Sequence, residues 1–297
     1  MNPTVKNPLR RRRWWLKILR IGLAVYLGLA VTMYFLQDWM IFPGAATQGR
    51  AEAAVRPAAD EQLVALPTAS GEKITLLFGP ALRPDGSPHP DAAHRPTILY
   101  FYGNAMSLSA CAAEFAEFRR LGANVAIAEF VGYGLSTGKP SEAGVYTTAD
   151  TAYQYLLTRA DVDRKRIVPV GWSLGAAAAI HLASSKPVAG LATFSAFTSM
   201  ADMGRQILPW LPTSMLLHHR FENEKKMASV TCPVFMAHGT VDSLVPFSMN
   251  ARLAAAAKGR VTVVPVTGGD HNDIFQVGGT GLLHQLGEFL DRVAAVP

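Results

Sequence analysis

The chain is poor in cysteine, poor in charge and, over its first twenty residues, devoid of acid. Cys111 and Cys232 are its two cysteines in 297 residues, which excludes a disulfide framework and offers no metal-ligand spacing. They read as two small buried side chains. A single disulfide between them is the alternative if the domain lies in an oxidising compartment. Charged residues make up 17% of the chain against 49% hydrophobic ones, ample for a buried core. Length alone allows one large domain or two small ones. The formal charge of +6 does not mark a nucleic-acid binder, because its distribution is one-sided. Lys6, Arg10, Arg11, Arg12, Arg13, Lys17 and Arg20 carry the whole excess, and the rest of the chain is close to neutral. A near-neutral domain lacks the footprint of a phosphate-backbone partner, so no nucleic acid is expected.

Behind that basic cluster comes a long apolar run. Residues 21–36 are uncharged, and the run resumes past Gln37 and Asp38 with Trp39, Met40, Ile41 and Phe42. At ~1.5 Å per helical residue, 21–36 covers ~24 Å, whereas 16–42, with Lys17 and Arg20 snorkelling, reaches the ~30 Å of a bilayer core. Trp14, Trp15 and Trp39 sit where interfacial aromatics are expected. Residues 1–43 therefore read as a basic N-terminus and single-pass transmembrane anchor, and 44–297 as the domain it tethers. Positive charge ahead of the run keeps the N-terminus cytoplasmic and the domain on the non-cytoplasmic, periplasmic side. Two alternatives remain: a cleaved signal ending at Gly44-Ala45-Ala46, and a twin-arginine export signal at Arg12-Arg13-Trp14-Trp15-Leu16-Lys17.

Beyond the anchor, residues 63–67 and 73–78 alternate around Ala69-Ser70-Gly71 and predict a hairpin. The Pro-, Asp- and His-rich stretch 79–96 is a loop. Strands at 97–102, 124–130, 166–170, 188–194, 234–237 and 261–266 then alternate with helices at 107–121, 143–159, 174–184, 248–257 and 282–295. Such βα alternation predicts an α/β fold, a mostly parallel sheet with helices on both faces. Residues 198–228 interrupt the rhythm with Met200, Met203, Ile207, Leu208, Trp210, Leu211 and Met215, and read as a lid-like insertion.

Two stretches match Gly-x-Ser-x-Gly: Gly171-Trp172-Ser173-Leu174-Gly175 and Gly134-Leu135-Ser136-Thr137-Gly138. The motif carries chemistry only as a strained strand-to-helix turn that exposes the hydroxyl. Four alanines follow Gly175, whereas Lys139 and Pro140 follow Gly138; alanine starts a helix and Lys-Pro does not. Ser173 is thus the candidate nucleophile and Ser136 a loop residue. Pro169 disagrees with this placement, since proline removes a ladder hydrogen bond from a central strand.

A serine hydroxyl needs a base, and the base an orienting carboxylate, in the chain order Ser, acid, His. Asp242 ends His238-Gly239-Thr240-Val241-Asp242 after one strand, and His271 lies in Gly268-Gly269-Asp270-His271-Asn272-Asp273 after the next. Asp242 is the expected acid and His271 the expected base. Asp270 and Asp273 are rival acids, poorly placed as sequence neighbours of the ring they would orient. His238 reads as a strand-end packing residue. Backbone N–H groups of Leu174 and Asn104 are the expected oxyanion donors. Trp172, Tyr102 and the Met-rich insertion are candidates for a substrate pocket, though such residues are as often plain core.

With these residues in place, the chain resembles the membrane-anchored, bud-emergence-related branch of the α/β-hydrolase superfamily, close to serine-aminopeptidase-like hydrolases. The resemblance rests on Tyr102-Gly103-Asn104-Ala105, on 132–142, on Gly171 to Gly175, on Phe197-Thr198-Ser199-Met200, and on His238 to Asp242 followed by Val245-Pro246. It ends with Gly268 to Asp273. Relatives usually carry His-Gly where Tyr102-Gly103 stands here. The resemblance implies the α/β-hydrolase fold and hydrolysis of an ester, thioester or amide through an acyl-enzyme, with no metal or organic cofactor. Anchor and apolar insertion together point to a small-molecule or lipid-like ester with an apolar acyl part. The alternatives are a peptidase or amidase, and a membrane-tethered scaffold on the same fold. Oligomeric state is not written in the sequence.

Overall fold

The computed structural model describes residues 8–295; Lys6 and the side chains of Arg10 and Arg11 lie outside the described residues. One long helix, α1 (Pro8–Ile41), leads the chain. A hairpin of β1 (Gln62–Pro67) and β2 (Lys73–Gly79) follows. The alternating region runs β3 (Thr97–Phe101), α2 (Ala112–Arg120), β4 (Asn124–Ala128), α3 (Glu142–Thr158), β5 (Ile167–Trp172), α4 (Leu174–Ser185) and β6 (Leu191–Phe194). Three short helices, α5 (Met200–Ile207), α6 (Thr213–Leu216) and α7 (Asn223–Met227), fill the break in the rhythm. The chain closes with β7 (Val234–Gly239), α8 (Phe247–Ala256), β8 (Val261–Val266) and α9 (Ile274–Ala294). α9 starts earlier than the sequence pattern indicates and turns at Gly279, whose φ of 50° breaks the helical path.

The eight strands form one sheet in the order β1-β2-β4-β3-β5-β6-β7-β8. β2 pairs antiparallel with β1 and with β4, and every other pair is parallel. The path from β3 to β4 steps one way across the sheet, and each later crossover steps the other way. Right-handed crossovers therefore set α2 on one face and α3, α4 and α8 on the other. Phe118 of α2 meets Phe275 of α9 with ring centroids 6.3 Å apart, so α9 shares the face of α2. β3, β4 and β6 are buried along their whole length, the continuous apolar pattern of strands covered on both faces.

Pro169 has a place in this register. It stands opposite Leu99 of β3, but pairing with β6 begins one residue later, at Val170 and Ala192. Ile167 turns its carbonyl toward the β6 side, where it accepts from Ala189 N–H. Alternate strand residues face the same neighbour, so the proline turns its donor-less nitrogen to that side, before the ladder starts.

The second Gly-x-Ser-x-Gly stretch is structural. Ser136 Oγ accepts from Thr75 N–H (2.9 Å) and donates to Glu129 O (2.9 Å). A Cβ at Gly134 would lie 2.2 Å from the Glu129 carboxylate. That buried carboxylate accepts from Leu108 N–H (2.7 Å), Leu135 N–H (2.7 Å) and Tyr102 Oη (3.1 Å), tying the connection after β3 to the one after β4. Burial raises its pKa despite these donors.

Candidate active site

Ser173 sits between β5 and α4 with φ 54° and ψ −115°, a conformation that costs a non-glycine residue ~1–3 kcal/mol. The neighbouring glycines make the turn possible. A Cβ at Gly171 would lie 2.2 Å from Gly175 O, and one at Gly175 would lie 1.9 Å from Phe101 O. Backbone packs on backbone there, so no side chain fits. The turn points Ser173 Oγ at His271, whose Nε2 is 3.0 Å away.

His271 Nδ1 lies 2.9 Å from Asp242 Oδ2. Asp242 follows β7 and His271 follows β8, adjacent parallel strands whose carboxyl ends meet at this edge of the sheet. Asp242 Oδ1 accepts from Leu244 N–H (3.0 Å) and Val245 N–H (2.7 Å), which holds the carboxylate in one orientation. Burial opposes its ionisation. Hydrogen bonds from His238, His271 and Val245 N–H outweigh burial and hold the carboxyl well below the usual range. All three side chains are buried.

The rival acids are engaged elsewhere. Asp270 accepts from Ser243 N–H and from His271's own N–H, both at 2.7 Å, and Asp273 accepts from Asp270 N–H at 2.6 Å. His238 is more than a packing residue. Its Nε2 lies 2.9 Å from Val245 O and 3.3 Å from Asp242 Oδ2. A carbonyl only accepts, so Nε2 carries the proton, and among the described residues buried Nδ1 has no partner. Asp242 Oδ2 thus lies between two imidazoles. Strand-end position was the available signal, but it does not reveal the second contact.

A cavity of about 200 Å³ opens over Ser173. Asn104 and Leu174 line it beside the serine. Leu174 is the first residue of α4, where a helix leaves its N–H without an intrahelical acceptor. Asn104 O accepts from Gly44 N–H (2.9 Å) and Tyr133 Oη (3.0 Å), which pins the loop after β3. Among the described residues, neither the Asn104 nor the Leu174 N–H has a protein acceptor outside the helices.

Trp172 and Tyr102 do not line this cavity. Tyr102 is fully buried and directed to Glu129, because it leaves β3 on the side that faces the 132–138 loop. Trp172 lies across Gly103 and packs near His271 (6.1 Å between ring centroids) and Phe275 (6.0 Å). The cavity wall comes instead from Met200, Met203, Ile207, Leu211 and Leu216 of the 198–228 segment, and from Met33, Gln37, Met40 and Ile41 of α1. Composition gave no hint that α1 contributes. The one usable signal was Gln37, a buried polar residue interrupting the apolar run. Its amide donates to Leu216 O (3.2 Å) and accepts from His218 N–H (2.7 Å).

Both cysteines are free; burial raises the Cys111 thiol and pushes the Cys232 thiol up to about 11. Among the described residues no group of three or more His, Cys, Asp or Glu side chains has metal-binding geometry. α1 is long and apolar enough to cross a membrane.

Residues 96–224 match the family model described as the alpha/beta hydrolase fold. An uncharacterised protein of Mycobacterium tuberculosis is 37% identical over 209 residues, covering 70% of this chain and 74% of that one. The mouse alpha/beta hydrolase domain-containing protein 17C is 32% identical over 181 residues, 61% of this chain and 55% of that one. Among solved structures, an esterase of Pyrococcus furiosus superposes with a TM-score of 0.64 at 19% identity, covering 82% of this chain and 98% of that one. The fold, the sheet order and these likenesses agree: the chain belongs to the α/β-hydrolase superfamily.

Proposed function

We propose that the chain is a membrane-anchored serine hydrolase that cleaves an ester or thioester with an apolar acyl part. The observation that carries the reading is the hydrogen-bonded line from Ser173 Oγ through the His271 ring to Asp242, with steps of 3.0 and 2.9 Å. In that line His271 Nε2 takes the serine proton as Oγ attacks the substrate carbonyl. The imidazolium that forms is stabilised by Asp242, whose carboxylate stays ionised. Negative charge on the carbonyl oxygen is met by the N–H groups of Leu174 and Asn104. The tetrahedral intermediate collapses, His271 returns the proton to the leaving alcohol or thiol, and the acyl group remains on Ser173. A water molecule then repeats the sequence, giving up its proton to His271 and releasing the acid with the serine restored.

The esterase likeness is in keeping with this reading, and the apolar cavity wall favours an acyl chain over a charged substrate. Helix α1 acts as the anchor, with the basic N-terminus in the cytoplasm and the 44–297 domain on the non-cytoplasmic side. In this reading residues 198–228 serve as a lid. Ser173→Ala is expected to lower p-nitrophenyl butyrate hydrolysis by ~10⁶-fold, since groups that act as a unit fail together. Hydrolysis that survives the substitution rejects the assignment.

A further inference from the structure

The contact between α1 and the 198–228 segment goes beyond a tether. Tyr26, Ala30, Met33, Gln37 and Ile41 recur at spacings of four, three, four and four, and these positions are the buried or half-buried stripe of an otherwise exposed helix. Tyr26 Oη donates to Trp210 O (3.3 Å) with the two rings 6.2 Å apart, and Tyr34 meets His218 at 4.3 Å between centroids. Residues 207–217 contain no charge, with Arg205 on one side and His218, His219 and Arg220 on the other. Ile207, Trp210 and Met215 are nonetheless exposed, Met215 by 83%. Water is a poor solvent for such an apex.

Depth along α1 explains it. Asp38 Oδ1 lies 3.0 Å from His219 Nε2, and a carboxylate at that position belongs outside hydrocarbon. The outer edge therefore falls at Tyr34 and not at Phe42 as the apolar pattern suggests: twenty helical rises from Trp14 to Tyr34 span ~30 Å, the thickness of a bilayer core, with an aromatic at each edge and Lys17 and Arg20 snorkelling outward. Tyr34 and His218 then mark the headgroup level, and Trp210, opposite Tyr26, lies ~12 Å deeper, within one leaflet of ~15 Å. Ile41, bonded through its carbonyl to Asn104 beside Ser173, stands at the outer end of the cavity, ~10 Å beyond the Tyr34 level, and Met33, ~12 Å along the same stripe, stands at the hydrocarbon edge.

Resting on the serine-hydrolase reading, we propose that the 207–217 apex is embedded in the leaflet beside α1. The acyl chain of a membrane-resident fatty-acyl ester then passes from that leaflet into the cavity along the seam, with its ester drawn ~10 Å outside the hydrocarbon edge to reach Ser173. The full chain in phosphatidylcholine vesicles tests this. Trp210 emission, isolated as the difference from Trp210→Phe, should be quenched by lipids brominated in mid-acyl chain. The double variant Trp210→Asp, Met215→Asp touches neither the cavity wall nor the serine. It should lower hydrolysis of vesicle-borne p-nitrophenyl palmitate by ~10-fold or more, as charge is driven out of hydrocarbon, and leave dissolved p-nitrophenyl acetate within ~2-fold. An unquenched Trp210, or palmitate and acetate rates that fall together or not at all, overturns the proposal. Absence of acetate turnover in the unaltered chain would instead reject the hydrolase reading, while the quenching still decides where the apex lies.

Discussion

Replacing Asp242 by asparagine isolates what the carboxylate does, because the geometry around it predicts which contacts survive. The amide oxygen keeps the two acceptor bonds that Asp242 Oδ1 makes to Leu244 and Val245 N–H, at 3.0 and 2.7 Å. The amide NH₂ then faces His271 Nδ1, where Oδ2 accepted at 2.9 Å, and gives up the longer 3.3 Å contact to His238 Nε2, whose proton keeps its acceptor in Val245 O. A donor there forces Nδ1 to become an acceptor and moves the ring proton to Nε2, which faces Ser173 Oγ at 3.0 Å. In that tautomer the ring cannot take the serine proton. The same exchange in a serine protease costs ~10⁴-fold in kcat, equivalent to ~5 kcal/mol of transition-state stabilisation. Asp242→Asn should therefore fold, with a melting curve of unchanged cooperativity, and hydrolyse p-nitrophenyl butyrate ~10⁴-fold more slowly at neutral pH. A folded variant that retains activity within ~10-fold would refute the tautomer argument, because one factor of ten is only ~1.4 kcal/mol.

Ser136→Ala removes a buried acceptor of Thr75 N–H; it should lower stability by ~1–3 kcal/mol in urea unfolding while turnover per folded molecule stays as it was. Gly175→Ala drives a methyl into Phe101 O and should destabilise by ~3 kcal/mol or more, seen as loss of soluble chain or of the melting transition. Asp242 is held below its ordinary pKa, so its stabilisation is present above pH ~4, its unfolded-state value, and is lost as pH falls through the folded-state value. The stability gap between the unaltered chain and Asp242→Asn should be constant above pH ~5 and narrow below pH ~4; a gap that widens on acidification contradicts the sign.

Much of the fold is legible in the sequence because parallel strands buried on both faces leave unbroken apolar runs. The candidate nucleophile is legible for a related reason: four alanines after Gly175 declare a helix, and Lys139-Pro140 denies one to the decoy. Pro169 looks like an objection only while the register is unknown, since sequence does not tell which neighbour a strand position faces. The candidate pocket is where reading by composition fails. Tyr102 and Trp172 adjoin motif residues in sequence, yet side-chain direction turns one to Glu129 and the other across Gly103. Conversely, Met33, Met40 and Ile41 line the cavity, and apart from Gln37 no residue type distinguishes the helix face that meets protein from the one that meets lipid. His238 shows the same limit: its position after β7 is visible, but its place beside Asp242 depends on how the next turn folds back.

The most direct measurement is covalent labelling of the full chain by a fluorophosphonate, followed by mass spectrometry of the proteolytic peptides. A base-activated serine beside oxyanion donors is phosphonylated, so the adduct mass is expected on Ser173, with none on Ser136 and none in Ser173→Ala. A folded chain that takes up no label, or takes it up on another residue, contradicts the account and leaves a hydrolase fold used for something other than serine catalysis.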